Sequence, residues 1–310
     1  MRFTVKAPAS SANLGPGFDA IGLALDLWNS VTIDTDGIAG EVTNSGSEAA
    51  LLEGRENLTV KAMKTLAREA GVTLPPFALH AETEIPIARG LGSSASALVA
   101  GLVAANHLLD LGLDREALFA RAWRIEGHGD NVGAALYGGA VLAVPSVPYA
   151  TPLWQREELG FTAVVFIPEV TGATWAARAA LPTDVPHVDA ALNVATASGL
   201  VAGFLTGDTK LIAAGMNDRL HEPYRARLFS HLGAMKAAAV EQGAIGACLS
   251  GAGPTILAFA PYACVEEVAC AMRETAAELA VPGRVMPLAP TMQGATLEVA
   301  VPGGDIVHAR

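Results

Sequence analysis

The run Pro86-Ile-Ala-Arg-Gly-Leu-Gly-Ser-Ser-Ala-Ser96 places two glycines directly before a string of hydroxyl and small residues. A glycine turn that opens a helix directs several unpaired backbone N–H groups, and the positive end of the helix dipole, at one point. That arrangement binds phosphate. The chain has no G-x-x-x-x-G-K-[ST] run, so the commonest phosphate-loop design is excluded. Ser93 and Ser94 can be read as ordinary helix caps, or as a hydroxyl offered to a magnesium ion beside the phosphates.

Such a loop needs elements on either side. Residues 77–85 read as β-rich, and residues 93 to about 109 as a helix of small side chains. Upstream, residues 3–7 form a short strand, residues 8–18 are turn-rich, and residues 25–34 alternate as a strand does. Asn57 is placed to cap a helix reaching about Ala70, with Gly71 just past its end, and Asp114 to cap one running to about Ile125. The proline-containing stretch 144–152 reads as a linker into a second half. That half predicts a strand at 162–167, a helix at 188–205, and a strand-turn-strand over 244–260. A helix at 263–279 and two late paired strands near 284–287 and 295–300 follow. This order suggests an α+β sandwich with an antiparallel sheet.

The chain of 310 residues is 51% hydrophobic and 16% charged, enough for a sizeable core and one or two domains. Its net charge of −11 disfavours nucleic acid and leaves any nucleotide to be held by local groups and a divalent cation. Cys248, Cys264 and Cys270 form no C-x-x-C pair, which argues against disulfides and a zinc site. The N-terminus lacks the layout of a secretory signal, and the most apolar stretches are interrupted by His, Asn, Gly or Pro. The expectation is a soluble cytoplasmic protein with no membrane or nucleic-acid partner.

Three blocks together resemble the GHMP kinases. The loop Pro86, Ile87, Ala88, Arg89, Gly90, Leu91, Gly92, Ser93, Ser94, Ala95, Ser96 is similar to the ATP loop of that family. Lys6–Asp19 resembles its first motif in the homoserine kinase form, and Leu249–Thr255, with Gly251 and Gly253, resembles its third. Glu126-Gly-His-Gly-Asp-Asn-Val132 and Asp218-Arg-Leu-His-Glu-Pro-Tyr-Arg225 are similar to two further runs of the homoserine branch. Gly129 stands where that branch has proline, and Trp175 where it has threonine in the stretch that ends on Arg178.

The resemblance implies a two-domain α+β GHMP kinase fold. A ribosomal-protein-S5-domain-2-like unit would run through residue 150 and a ferredoxin-like unit from 151 to 310. It implies ATP and Mg²⁺ as cofactors, with Ser94 and Glu126 on the metal, and a homodimer. It also implies an amino-acid substrate, L-homoserine, phosphorylated for threonine synthesis.

The chemistry agrees with those assignments. Asp19, assisted by Asn13, can take an ammonium; Arg178 and Arg225 can grip a carboxylate with their planar forks; Asn131 or His128 can orient a hydroxyl. Phosphoryl transfer asks mainly for alignment and charge neutralisation, so no essential base is expected, although Asp130 is near. Other readings are a kinase of mevalonate or shikimate, which lack an ammonium, or a non-catalytic member of the fold.

Overall fold

The computed structural model describes residues 1–154, 160–300 and 306–309. The first half runs β1 (Arg2–Ala12), β2 (Ile21–Asp34), β3 (Val42–Ser45), α1 (Leu58–Glu69), β4 (Ala78–Glu82), α2 (Ser93–Leu108), α3 (Arg115–Glu126), α4 (Asp130–Tyr137), β5 (Ala140–Ala143) and β6 (Ala150–Pro152). The second half opens with β7 (Phe161–Pro168), α5 (Thr174–Ala179), α6 (His187–Thr206), α7 (Thr209–Gly215), α8 (Glu222–Arg225) and α9 (Leu232–Glu241). It ends with β8 (Gly246–Leu249), β9 (Ile256–Pro261), α10 (Val265–Glu278), β10 (Gly283–Leu288), β11 (Thr296–Ala300) and β12 (Ile306–Ala309).

The two caps foreseen are present. Asn57 accepts from Val60 N at 3.1 Å and Asp114 from Ala117 N at 2.8 Å, each satisfying an amide that its helix cannot. The first strand is longer than expected and takes in residues 8–12. Its small polar side chains imitate a turn, but Pro8 is accommodated at a register shift against β2, and Ser10 and Ser11 are fully buried. Strand β2 is likewise longer than the stretch 25–34 and begins at Ile21. Its far end pairs with β4 and its near end with β5.

Two sheets result. The first is ordered β12-β11-β1-β2-β4-β3, with β5 paired to β2 and β6 to β5; the second is β10-β7-β9-β8. In the second, β7, β8, β9 and β10 with their helices form a β-α-β-β-α-β unit, the ferredoxin-like order expected. The late strands do not pair with each other as expected. Instead β10 joins β7, and β11 crosses back to β1. A clean division at residue 150 therefore differs from the sheets, since β6 lies in the first sheet and β11 returns to it.

Strand β7 is buried along its whole length because it lies between two cores. Phe161, Ala163, Val165 and Ile167 face a middle core shared with Leu14, Ile21, Leu23 and Leu25 of the first half. Val164 and Phe166 face the outer core under α9 and α10. A third core packs β1, β2 and β4 against α1 to α4. Burying each of these large side chains contributes about 1.5–3 kcal/mol, and the middle core fixes one half against the other.

Among the described helices, α6 alone is long and apolar enough to cross a membrane. It is docked on the protein: Asn193 donates to Pro16 O at 2.9 Å and accepts from Arg219 N, while Leu200 and Phe204 enter the middle core. Its outer side, with Val188 and Val194, is exposed.

Candidate active site

The glycine loop between β4 and α2 meets the glycine turn between β8 and β9 at a cavity of about 110 Å³. Gly90 has φ of +78° and lies so near that turn that a Cβ on it would sit 2.2 Å from Ser250 O. Ser250 donates from Oγ to Gly90 O at 2.6 Å and lies 2.8 Å from Ser11 Oγ. Gly92, at φ +70°, occupies the cap position of α2 and makes no side-chain capping bond. The first-turn amides of α2 thus lack a side-chain partner, and a helix start in that condition favours an anion.

Most of the sequence-predicted residues line this cavity: Asn13, Asp19, Pro86, Ala88, Arg89, Gly90, Leu91, Gly92, Ser93, Ser94, Ala95, Glu126, His128, Asn131, Arg178, Arg225, Gly251 and Gly253. Two do not. Ser96 is fully buried and donates its hydroxyl to Ala7 O at 2.9 Å, so its side chain ties α2 to β1 and does not reach the cavity. Ile87 faces a neighbouring cavity of about 430 Å³, bounded also by Val31, Leu52, Asn57, Thr83 and Ser94. Arg89 lines the site but turns its guanidinium to Glu48, Pro168 O and Glu169 O, clamping the loop to the end of β7.

Ser94 Oγ lies 3.3 and 3.4 Å from the two oxygens of Glu126. An octahedral Mg²⁺ with ligands at about 2.1 Å sets adjacent oxygens about 3 Å apart. One hydroxyl and one carboxylate at this spacing suit that hard cation.

Asp19 and Arg178 form a two-pronged pair, Nη2 to Oδ1 at 2.8 Å and Nη1 to Oδ2 at 3.0 Å. The hydrogen bond and charge of Asp19 raise Arg178 above its ordinary pKa, against the effect of burial. Asn13 has φ of +69° and holds the turn: its Oδ1 accepts from Asp19 N at 3.0 Å and its Nδ2 donates to Gly251 O at 2.8 Å.

Arg225 is 2% exposed, on the short α8. Asp218 secures that helix by accepting from the N–H groups of Leu220, His221 and Glu222. Burial, then the positive charge of Arg178, pulls Arg225 down to about 10, so it remains a cation at neutral pH. Both guanidinium groups lie over the Phe18 ring, Arg178 Cζ at 5.6 Å and Arg225 Cζ at 5.5 Å from its centre.

His128 Nδ1 lies 2.7 Å from Asp130 Oδ1, and both side chains stand beside Asp19, with one ring nitrogen or carboxylate oxygen of each of the three within 4.8 Å of the others. Burial alone would lower His128, but the bond to Asp130 and the charges of Asp130, Glu126 and Asp19 raise it overall. The Gly129 departure has a packing reason, since a Cβ there would meet Ala143 at 2.6 Å and the Trp123 ring at 2.7 Å. Trp175 is 77% exposed, and nothing in the structure explains its replacing threonine. Its neighbour Thr174 lines both cavities.

Sequence reasoning passed over Ser10, Phe18, Thr174 and His221. Ser10 donates to Asn131 Oδ1 at 2.9 Å, which leaves the Asn131 Nδ2 donors for a ligand. Ser10 and Phe18 stood inside the first motif and His221 inside the arginine segment, so position within a recognised block was the available signal.

Residues 57–139 match the model of the GHMP kinase N-terminal domain, and residues 200–278 that of the GHMP kinase C-terminal domain. The chain is 42% identical to a homoserine kinase of Deinococcus radiodurans over 259 residues, covering 83% of this chain and 84% of that one. A homoserine kinase of Desulfitobacterium hafniense is 37% identical over 94% of this chain and 99% of its own. The crystal structure of homoserine kinase from Cytophaga hutchinsonii superposes with a TM-score of 0.83 at 29% identity, covering 96% and 97% of the two chains.

Proposed function

The chain belongs to the GHMP kinase family, and from this premise we propose that it transfers a phosphoryl group from ATP to the hydroxyl of L-homoserine. The product is O-phospho-L-homoserine, for threonine biosynthesis. One observation carries the choice of substrate. The uncapped start of α2 and the set Asp19, Arg178 and Arg225 open onto a single cavity, so a phosphate donor and a small molecule with both charges are held face to face. Mevalonate and shikimate carry no ammonium for Asp19.

In this reading the backbone of residues 86–95 cradles the polyphosphate, with Gly251 and Gly253 closing the far side. The 430 Å³ cavity beside Ser93 and Ser94 has room for the nucleoside. Glu126 and Ser94 hold Mg²⁺, which when bound neutralises phosphate charge. Asp19 receives the substrate ammonium, and Arg225 and Arg178 its carboxylate. Asn131, fixed by Ser10, and His128, fixed by Asp130, orient the hydroxyl. Alignment and charge neutralisation are the whole of what the side chains supply, so no residue is assigned as an essential base.

The same reading gives a nucleotide domain over residues 1–150 and a second domain over 151–310 whose last strands return to the first sheet. It gives a cytoplasmic enzyme with no nucleic-acid or membrane partner. It also gives a homodimer. Mixing the protein with ATP, Mg²⁺ and a panel of small alcohols, and measuring ADP release, tests the activity. Release should be fastest with L-homoserine; equal or faster release with mevalonate or shikimate would overturn the assignment.

A further inference from the structure

In the structure the groups that would hold the two ends of an amino acid hold each other. Both guanidinium nitrogens of Arg178 lie on both carboxylate oxygens of Asp19, at 2.8 and 3.0 Å. The two side chains are 41% and 35% exposed, so water and small ligands reach the pair, and its opening is inexpensive. Arg225 takes no part in it. Its Nε and Nη1 donate to Ala177 O, Gly251 O and His221, which leaves Nη2 as a fixed donor. Arg178 stands instead on α5, a six-residue helix with no side-chain cap. The carboxylate end of the site therefore has one immobile arginine and one that can be released.

We propose that the Asp19–Arg178 pair is a selector for zwitterions, separated without loss only by a ligand that re-pairs both partners. An ammonium alone must displace Arg178 from Asp19 and leave a cation without its anion. A carboxylate alone must draw Arg178 away and leave Asp19 without its guanidinium, with the His128 ring close by. A molecule with both charges exchanges one ion pair for two. The inference rests on the amino-acid reading above and adds where its discrimination against singly charged analogues originates.

Three matched ligands without a hydroxyl read binding with no turnover: L-2-aminobutyrate, with both charges; n-propylamine, its ammonium half; and butyrate, its carboxylate half. Dissociation constants come from ligand-observed NMR on the wild type and on Arg178→Met. Removing Arg178 should tighten n-propylamine by about two- to fivefold, the range of an exposed ion pair, because Asp19 is then free. The same change should weaken L-2-aminobutyrate and butyrate. Arg225→Met removes an equal charge that acts on Asp19 only through space and should tighten n-propylamine by clearly less than Arg178→Met does. Asp19→Asn gives the mirrored measurement, with butyrate tightened, should Arg225→Met fold poorly.

An n-propylamine affinity unmoved by Arg178→Met overturns the selector. So does an equal gain in Arg225→Met, which would assign the effect to charge at a distance. Failure of L-2-aminobutyrate to bind the wild type would instead remove the amino-acid site itself.

Discussion

Arg225 donates from Nη1 to Nδ1 of His221 at 3.1 Å, and His221 Nε2 lies 2.8 Å from Gly15 O. A guanidinium only donates, so Nδ1 is the acceptor and Nε2 carries the hydrogen given to Gly15 O. Burial, together with the Arg225 charge and against Asp218 and Glu222, lowers the His221 pKa and keeps the ring neutral. The ring thus links the first motif, through Gly15, to the plane of the buried arginine. The His221 ring also packs on Phe18, with 5.4 Å between centroids, so His221→Phe should keep that packing but remove both the acceptor for Arg225 and the donor to Gly15 O. A hydrogen bond to a charged group is worth about 1.5–3 kcal/mol, so KM for homoserine should rise about 10- to 100-fold with little change in kcat. Parallel losses in the KM values for homoserine and ATP would indicate general disruption instead.

Arg225 itself should matter more. It is almost fully buried and has its Nη2 free for an anion. Arg225→Ala should weaken homoserine binding by about 3–5 kcal/mol, the usual effect of removing one partner of a desolvated charge pair. Calorimetric titration with nucleotide should give nearly the wild-type affinity. Equal loss of both affinities, or loss of neither, would remove Arg225 from the substrate clamp.

What the sequence made legible was local chemistry. The glycine loop, the caps Asn57 and Asp114, and the end of α3 at Glu126 depend on residues within a few positions of each other. The placements that make the site depend on distant pairings. Asp19 meets Arg178 across 159 positions, Ser10 meets Asn131 across 121, and Asn13 meets Gly251 across 238. No periodicity encodes such a meeting, and recognition of the blocks as one family's motifs had to supply it. The errors have the same origin. The stretch 8–12 is rich in small and polar residues and looks like a turn until Ser10 and Ser11 find partners in α4 and the β8–β9 turn. Strand β11 looks like the neighbour of β10 until β1 offers it an edge.

The metal assignment has its own test. Glu126 and Ser94 converge within 3.4 Å, and Glu126 is the carboxylate of the pair. Glu126→Gln keeps the shape and removes the charge, so turnover should fall by about two or more orders of magnitude. The Mg²⁺ concentration for half-maximal rate should rise. An unchanged magnesium titration would take Glu126 off the metal.

Gly92 is held by two constraints at once. Its φ of +70° disfavours a side chain, and a Cβ would stand 2.0 Å from Ser10 Oγ, the hydroxyl that orients Asn131. Gly92→Ala must therefore shift the loop or push Ser10 away from Asn131. Stability should fall by about 1–3 kcal/mol in chemical denaturation, and ATP affinity should fall with it. A variant with wild-type stability and ATP affinity would show that the amides beside Gly92 do not need this backbone geometry.

His128 and Asp130 give the molecule a pH signature. Burial opposes the charge on His128, but the bond to Asp130 and the surrounding carboxylates outweigh it and raise the folded-state pKa above the ordinary value near 6.5. A group raised on folding binds its proton more tightly in the native state. Its stabilising contribution is therefore complete below about pH 6.5 and disappears as pH rises through the folded-state value. Denaturant unfolding of the wild type and His128→Asn should differ most at about pH 5.5, by about 1.5–3 kcal/mol for a charge-assisted bond, and converge in alkaline buffer. A difference that stays flat would mean that folding does not raise the His128 pKa, and one that widens as pH rises would mean that folding lowers it and that the bond to Asp130 is made by the uncharged ring.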